Sequence, residues 1–261
     1  MIGKIKLLVV FGTRPEAIKM APLLLRLQQE KSFDTKVCVT GQHREMLDQV
    51  LQTFGIVPDY ALQVMAHNQD LFSLTAKIIM AMRDVLAKEQ PGLVLVHGDT
   101  TTTFAATISA FYARIPVAHI EAGLRTGNLE APFPEEANRV LTSHLATLHL
   151  APTDKAKLNL LHEGIAPERI WVTGNTVVDA LLWMQSYLNS SDVSQWQSAL
   201  GTAWKVIQED QPLVLITGHR RENFGEGFRN ICAAIRQLAQ EHPDWAFVYP
   251  VHLNPNVREP V

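Results

Sequence analysis

Short runs of valine, isoleucine and leucine alternate along the chain with longer stretches of helical periodicity, and this alternation constrains the fold more than any other feature. A strand that is apolar on both sides must be buried on both faces, and a parallel sheet covered by crossover helices provides that burial. The runs are IKLLVVF (5–11), TKVCVT (35–40), GLVLVH (92–97), PVAHIE (116–121), TLHLA (147–151) and RIWVTG (169–174). Helical stretches cover 15–29, 43–54, 70–89, 101–113, 135–146 and 153–163 between them. The pattern predicts an α/β fold with a Rossmann-like, doubly wound domain over residues 1–174. After a polar stretch at 186–201, the pattern restarts with strand PLVLITG (212–218), a helix at 226–242 and strand WAFVYPV (245–251). A second Rossmann-like domain is therefore expected over 175–261. Two strands cannot cover their own faces, so this domain is expected to be incomplete and the chain truncated.

Composition narrows the function classes. The 261 residues are 47% hydrophobic, enough for real cores, and 23 Lys and Arg stand against 26 Asp and Glu, a net charge of -3. No basic stripe of the kind that binds nucleic acid is present, and no apolar run approaches the roughly 20 residues that cross a bilayer. The two cysteines, Cys38 and Cys232, lie far apart without metal spacing, which argues against a disulfide or zinc framework and fits a cytoplasmic protein. Neither a Walker A sequence nor G-x-G-x-x-G occurs, so nothing marks an ATP or NAD site, and neither cofactor nor metal is expected.

In an open parallel sheet, ligands bind beyond the carboxyl ends of the strands, so the polar residues falling there are the candidates. FGTRPEAIK (11–19) follows the first strand. Gly12 allows a tight turn, Pro15 opens a helix whose free N–H groups can receive an anion, and Arg14 and Lys19 add positive charge. The same residues also read as a plain helix start, with Thr13 and Glu16 as a capping box. Asp99 follows the strand ending at His97 and is either a helix cap or a functional acid. Glu121 ends the next strand with no helix nearby to cap, which favours function. Because one helix joins these two strands, a right-handed crossover sets them side by side or nearly so, with both carboxylates at one crevice. Glu135 and Glu136 open a helix, where acids complement the dipole. In LITGHRRENFGEGF (215–228), His219, Arg220 and Arg221 form a cationic cluster suited to phosphate or carboxylate. His119, His144 and His149 read as packing in or near the core rather than as ligands.

Eight blocks in order, FGTRPEAIKMAPL, TGQHREMLDQVL, LVHGDTTTTFAA, IPVAHIEAGLRTG, PEEANR, VTGNTVVDALL, TGHRRENFG and YPVHLNPNVREPV, closely resemble the bacterial non-hydrolysing UDP-N-acetylglucosamine 2-epimerases, from one end of the chain to the other. They look most like the enterobacterial branch that serves a surface polysaccharide such as the common antigen. The resemblance implies two Rossmann-like domains of the GT-B-like kind and a homodimer. It also implies inversion at C2 of UDP-N-acetylglucosamine to UDP-N-acetylmannosamine, by elimination of UDP and re-addition. Residue by residue, it implies catalytic Asp99, Glu121, Glu135 and His219, with Arg14, Lys19 and His219 on the UDP portion. Gln42, His43, Arg220 and His252 match an allosteric UDP-N-acetylglucosamine site found in some relatives, although Glu45 stands where those relatives carry glutamine. The family continues past HLNPNVREPV, so the chain alone is expected to bind UDP poorly. The alternatives are an inactive fragment of this enzyme and a two-domain glycosyltransferase, which shares the fold but needs an acceptor site.

Overall fold

The computed structural model describes residues 3–41, 44–64, 69–207, 211–218, 225–251 and 255–261. Strand β1 (Ile5–Phe11) shows why the first sheet is covered on both sides: Leu7, Val9 and Phe11 join one core layer, Leu8 and Val10 the other. In the first layer these residues meet Met20 and Leu24 of helix α1 (Arg14–Gln29) and Leu47 and Leu51 of α2 (Arg44–Thr53). In the second they meet Ile78 and Met82 of α3 (Leu71–Glu89) and Ala105, Ala106 and Ala110 of α4 (Thr101–Tyr112). The small alanines let α4 lie close to the sheet, as tight core packing requires.

The remaining strands of this sheet are β2 (Phe33–Val39), β3 (Tyr60–Ala61), β4 (Leu93–His97), β5 (Val117–Ile120), β6 (Leu148–Ala151) and β7 (Ile170–Val172). Their order is β3-β2-β1-β4-β5-β6-β7 and every pairing is parallel. Helix α5 (Glu135–Leu145) joins β5 to β6, and α6 (Asp154–His162) lies between β6 and β7. The strand order reverses between β1 and β4, so the carboxyl ends of those strands flank the crevice where doubly wound sheets hold ligands.

Helix α7 (Thr176–Ser190) returns from β7, and Ala180 and Trp183 pack on the layer that holds α1 and α2, with the Trp183 ring 4.3 Å from that of Phe54. The polar stretch expected at 186–201 is largely helical: α7 runs to Ser190, and α8 (Val193–Leu200) starts where the Asp192 side chain accepts from the Ser194 N–H. Serine and asparagine are only mildly unfavourable inside a helix, so a polar stretch of this composition can be helical. The chain divides into two compact units, Met1–Ser186 and Tyr187–Val261. The second contains α8, α9 (Thr202–Val206), a parallel pair β8 (Leu213–Leu215) and β9 (Ala246–Val248), α10 (Glu226–Glu241) with Phe228 buried, and α11 (Pro255–Arg258).

Three histidines lie buried on neighbouring strands, His97 on β4, His119 on β5 and His149 on β6, with His119 and His149 in register. His144 instead sits exposed in the last turn of α5, where a basic residue suits the helix dipole. Burial lowers His97 to about 4, His119 to about 3 and His149 to about 4 from the ordinary 6.5. The folded state therefore holds neutral imidazoles that the unfolded chain protonates once pH falls below 6.5. Their stabilisation is present above that pH and is lost as pH falls toward 4, with a slope of about 1.4 kcal/mol per pH unit for each fully coupled histidine. Urea unfolding measured between pH 7 and 4.5 should show this decline, with a shallower slope for His119→Gln. A free energy flat across that range counts against the account.

Candidate functional site

The turn after β1 is built around a shared carboxylate. Thr13 caps α1 by accepting from the Glu16 N–H, and Glu16 Oε2 accepts from the N–H groups of Gly12 at 3.0 Å and Thr13 at 2.8 Å, completing the capping box. Glu16 is buried, and its other oxygen accepts from the hydroxyls of Thr100 at 2.8 Å and Thr103 at 3.2 Å. One side chain thus ties the β1–α1 turn to the β4–α4 turn across the strand reversal. Burial pushes the Glu16 carboxyl above its ordinary range, against the hydrogen bonds from Thr100, Thr13 and Gly12 that pull it down. Gly12 is needed for a different reason from the one its sequence context suggested. A Cβ there would stand 2.1 Å from Thr40 Oγ1 and 2.4 Å from Thr102 Oγ1, two buried hydroxyls hydrogen-bonded to each other at 2.8 Å.

Asp99 follows β4 but does not cap α4. That role falls to Thr100, whose side chain accepts from the Thr103 N–H. The Asp99 carboxylate is left to accept from Arg139, and its carbonyl accepts from Asn138 Nδ2 at 2.9 Å. Both partners stand on α5, so the β4 turn and the start of α5 are held together. Arg139 also meets Glu136 at 3.2 Å, and Glu136, almost fully buried, accepts from the N–H groups of Thr126 and Gly127 at 2.9 and 3.0 Å. Glu136 therefore tethers the loop after β5 and is not free for chemistry.

Glu121 directly follows β5 with a backbone φ of +64°, the left-handed region that a non-glycine residue seldom occupies and that tends to appear at functional sites. Lys19 Nζ from α1 lies 2.7 Å from Oε1 and 2.6 Å from Oε2, and Asn175 Nδ2, just before α7, lies 2.6 Å from Oε2. The side chain of Glu121 is only 11% exposed and that of Lys19 24%, so the pair is shielded from much of the screening that weakens surface ion pairs. Strands β4 and β5 are neighbours, the Gly98 N–H donates to the Ile120 carbonyl at 2.9 Å, and a Cβ at Gly98 would lie 3.9 Å from Glu121 Oε1. Asp99 and Glu121 thus end adjacent strands, as the single crossover helix led us to expect.

The other sequence candidates fall as follows. Arg14 is exposed at the first position of α1, and Glu135 is half-buried at the first position of α5, without a side-chain cap on that helix. Gln42, His43, His219, Arg220, Arg221 and His252 lie outside the described residues. Sequence reasoning did not single out Asn138, Arg139 or Asn175, although all three stand in the blocks PEEANR and VTGNTVVDALL. No local spacing marks them, because each acts on a residue 39 to 54 positions away. A separate apolar hollow of about 600 Å³ is lined by Met80, Leu86, Pro91, Tyr112 and Ile115. Pro91 and Ile115 precede β4 and β5, so this hollow lies at the amino edge of the sheet, away from the acids, and it gathers few polar groups.

The family model for UDP-N-acetylglucosamine 2-epimerase matches residues 25–261. The chain belongs to that family. The UDP-N-acetylglucosamine 2-epimerase of Escherichia coli K12 is 57% identical over 98% of this chain and 68% of its own length. The Neisseria meningitidis UDP-GlcNAc 2-epimerase, whose crystal structure holds UDP-GlcNAc, is 54% identical over 98% of this chain and 68% of that one, with a TM-score of 0.90. The Methanocaldococcus jannaschii UDP-GlcNAc 2-epimerase, solved with UDP-GlcNAc and UDP, is 33% identical over the same shares, with a TM-score of 0.79. The chain therefore spans about two thirds of the length of these epimerases. Its relatives in the family are isomerases, and the seven-stranded parallel sheet described above is the α/β architecture it shares with them. Among the described residues no helix is long and apolar enough to cross a membrane.

Proposed function

We propose that the full-length protein interconverts UDP-N-acetylglucosamine and UDP-N-acetylmannosamine without hydrolysis, supplying a surface-polysaccharide route from the cytoplasm as a homodimer. The observation that carries this reading is the pair of acids, Asp99 and Glu121, at the ends of adjacent strands beside the strand reversal, each held by its own cation. The hydrogen on C2 is not next to a carbonyl, so a base alone removes it poorly. Departure of UDP must lead: the C1–O bond breaks with its electron pair going to the pyrophosphate, positive charge builds at C1, and a carboxylate takes the C2 proton to leave a glycal. Re-addition reverses these events with a proton delivered to the other face of C2. Carboxylates near the sugar stabilise the developing charge and handle protons, as paired acids do in glycoside hydrolysis. Two faces require more than one acid, and Asp99, Glu121 and Glu135 are the candidates. We assign Arg14, Lys19 and His219 to the UDP portion, with His219 also catalytic, and Gln42, His43, Arg220 and His252 to a second, activating nucleotide-sugar site. Elimination and addition leave the net oxidation state unchanged, so the reaction asks for no redox cofactor.

Incubation with UDP-N-acetylglucosamine in deuterated water tests the proposal, read by NMR. Deuterium at C2 of both epimers is the expected result, and its absence would sink the epimerase reading. Release of free N-acetylmannosamine would point to a hydrolysing enzyme, and UDP release that depends on an added acceptor to a glycosyltransferase.

A further inference from the structure

We infer that Asn175 is a positioning residue for Glu121: its amide fixes which carboxylate oxygen is free to act. The inference rests on the epimerase reading above. Two hydrogen bonds set the orientation of the amide. Its Oδ1 accepts from the Val177 N–H at 3.0 Å and so caps the start of α7, which leaves Nδ2 to point at Glu121 Oε2, 2.6 Å away. The backbone joins in, since the Val178 N–H donates to the Asn175 carbonyl at 3.0 Å. The amide is thus held by the helix it starts, and α7 is itself anchored on the first unit by Ala180 and Trp183.

The consequence falls on the two oxygens of Glu121. Among the described residues, Oε2 receives both Lys19 and Asn175, at 2.6 Å each, whereas Oε1 receives Lys19 alone, at 2.7 Å. Each carboxylate oxygen can accept about two hydrogen bonds, so Oε2 is saturated and Oε1 keeps a lone pair. Oε1 is also the oxygen beside Gly98, where even an added Cβ would approach it to 3.9 Å, so it faces the turn that carries Asp99. With φ at +64° setting the direction of the side chain and Lys19 bridging both oxygens, Asn175 is the contact that makes the two oxygens unequal. The reacting oxygen in this arrangement is Oε1.

The two ends of the amide can be separated by mutation, because capping needs only an acceptor at this position, which aspartate and serine supply as well as asparagine. Asn175→Asp keeps the cap but replaces the donor to Glu121 with a second carboxylate; Asn175→Ser keeps a capping oxygen without an amide or a charge. In the full-length protein, both variants are expected to lower kcat for UDP-N-acetylglucosamine by about tenfold or more, as misplacement of a reacting group does. KM should stay within about threefold and the melting temperature within a few degrees of wild type. A purely structural Asn175 predicts unchanged kcat in both variants, and that result overturns the inference. If wild type itself fails to interconvert the two nucleotide sugars, the functional reading falls and takes this inference with it. Wild-type turnover matched by both variants removes this inference alone.

Discussion

Glu121→Gln in the full-length protein is expected to lower kcat by about two to four orders of magnitude, the usual worth of a positioned acid or base, while the fold persists. The amide is nearly the same size and shape, so packing at the end of β5 is kept. What changes is charge and hydrogen-bond capacity. Lys19 and Asn175 are both donors aimed at this side chain, and glutamine offers them a single acceptor oxygen while its own NH2 faces one of them. The mismatch costs about 1 kcal/mol, the scale of a lost hydrogen bond, which in a domain of this size moves the melting temperature by about 2–4 °C. Chemistry suffers far more, because a neutral amide neither takes a proton from C2 nor stabilises positive charge at C1. Turnover followed by separation of the two epimers, alongside circular dichroism, separates the two effects. A variant retaining a third of wild-type kcat would remove Glu121 from the machinery.

Glu16→Ala is expected to destabilise the first unit by about 2–5 kcal/mol, the scale for breaking a buried hydrogen-bond network. The carboxylate is the acceptor for two backbone N–H groups, those of Gly12 and Thr13, and for the hydroxyls of Thr100 and Thr103. Thr103 keeps a second acceptor in the His97 carbonyl at 2.5 Å, but the Gly12 N–H is buried and Glu16 is its acceptor. A buried donor left unmatched costs about 1–3 kcal/mol; the Gly12 N–H meets that fate, and the part-buried Thr13 N–H and Thr100 hydroxyl lose their acceptor as well. The loss also severs the link between the turns after β1 and β4, so turnover should fall with stability even though Glu16 touches no reacting atom in our proposal. Urea titration of Glu16→Ala against Thr13→Ala separates the terms, since the latter removes only the cap and is expected to cost about 1 kcal/mol. Equal losses in the two variants would refute the cross-link.

Six of the seven strands of the first sheet were legible because burial on both faces leaves an unbroken apolar run, and β1 has the bounds the sequence suggested; β3, two residues long and not fully buried, leaves no such run and was missed. The pairing of Asp99 with Glu121 was legible too, since a single helix between two parallel strands leaves little topological choice. Local patterns failed where two residues compete for one role. Asp99 and Thr100 are both good caps, and only the folded turn reveals that Thr100 takes the helix and frees the aspartate. Arg139, Asn138 and Asn175 were invisible for a related reason: each acts on a residue 39 to 54 positions away, and no local spacing encodes such a contact. Gly12 was noticed for its backbone freedom, yet what excludes a side chain there is the pair of threonine hydroxyls from other elements.

The apolar hollow at the amino edge of the sheet carries a consequence for inhibitor discovery. It is a roomy, greasy depression, whereas the acids stand at the far ends of the same strands, and the five residues of β4 alone span about 16 Å. A compound seated in that hollow would rest against Tyr112 and Met80 and leave Asp99 and Glu121 untouched. Competition with the nucleotide sugar demands the opposite chemistry: a polar, anionic scaffold able to displace water from charged turns. Hits from the two kinds of screen should therefore be bound simultaneously, each blind to saturation by the other.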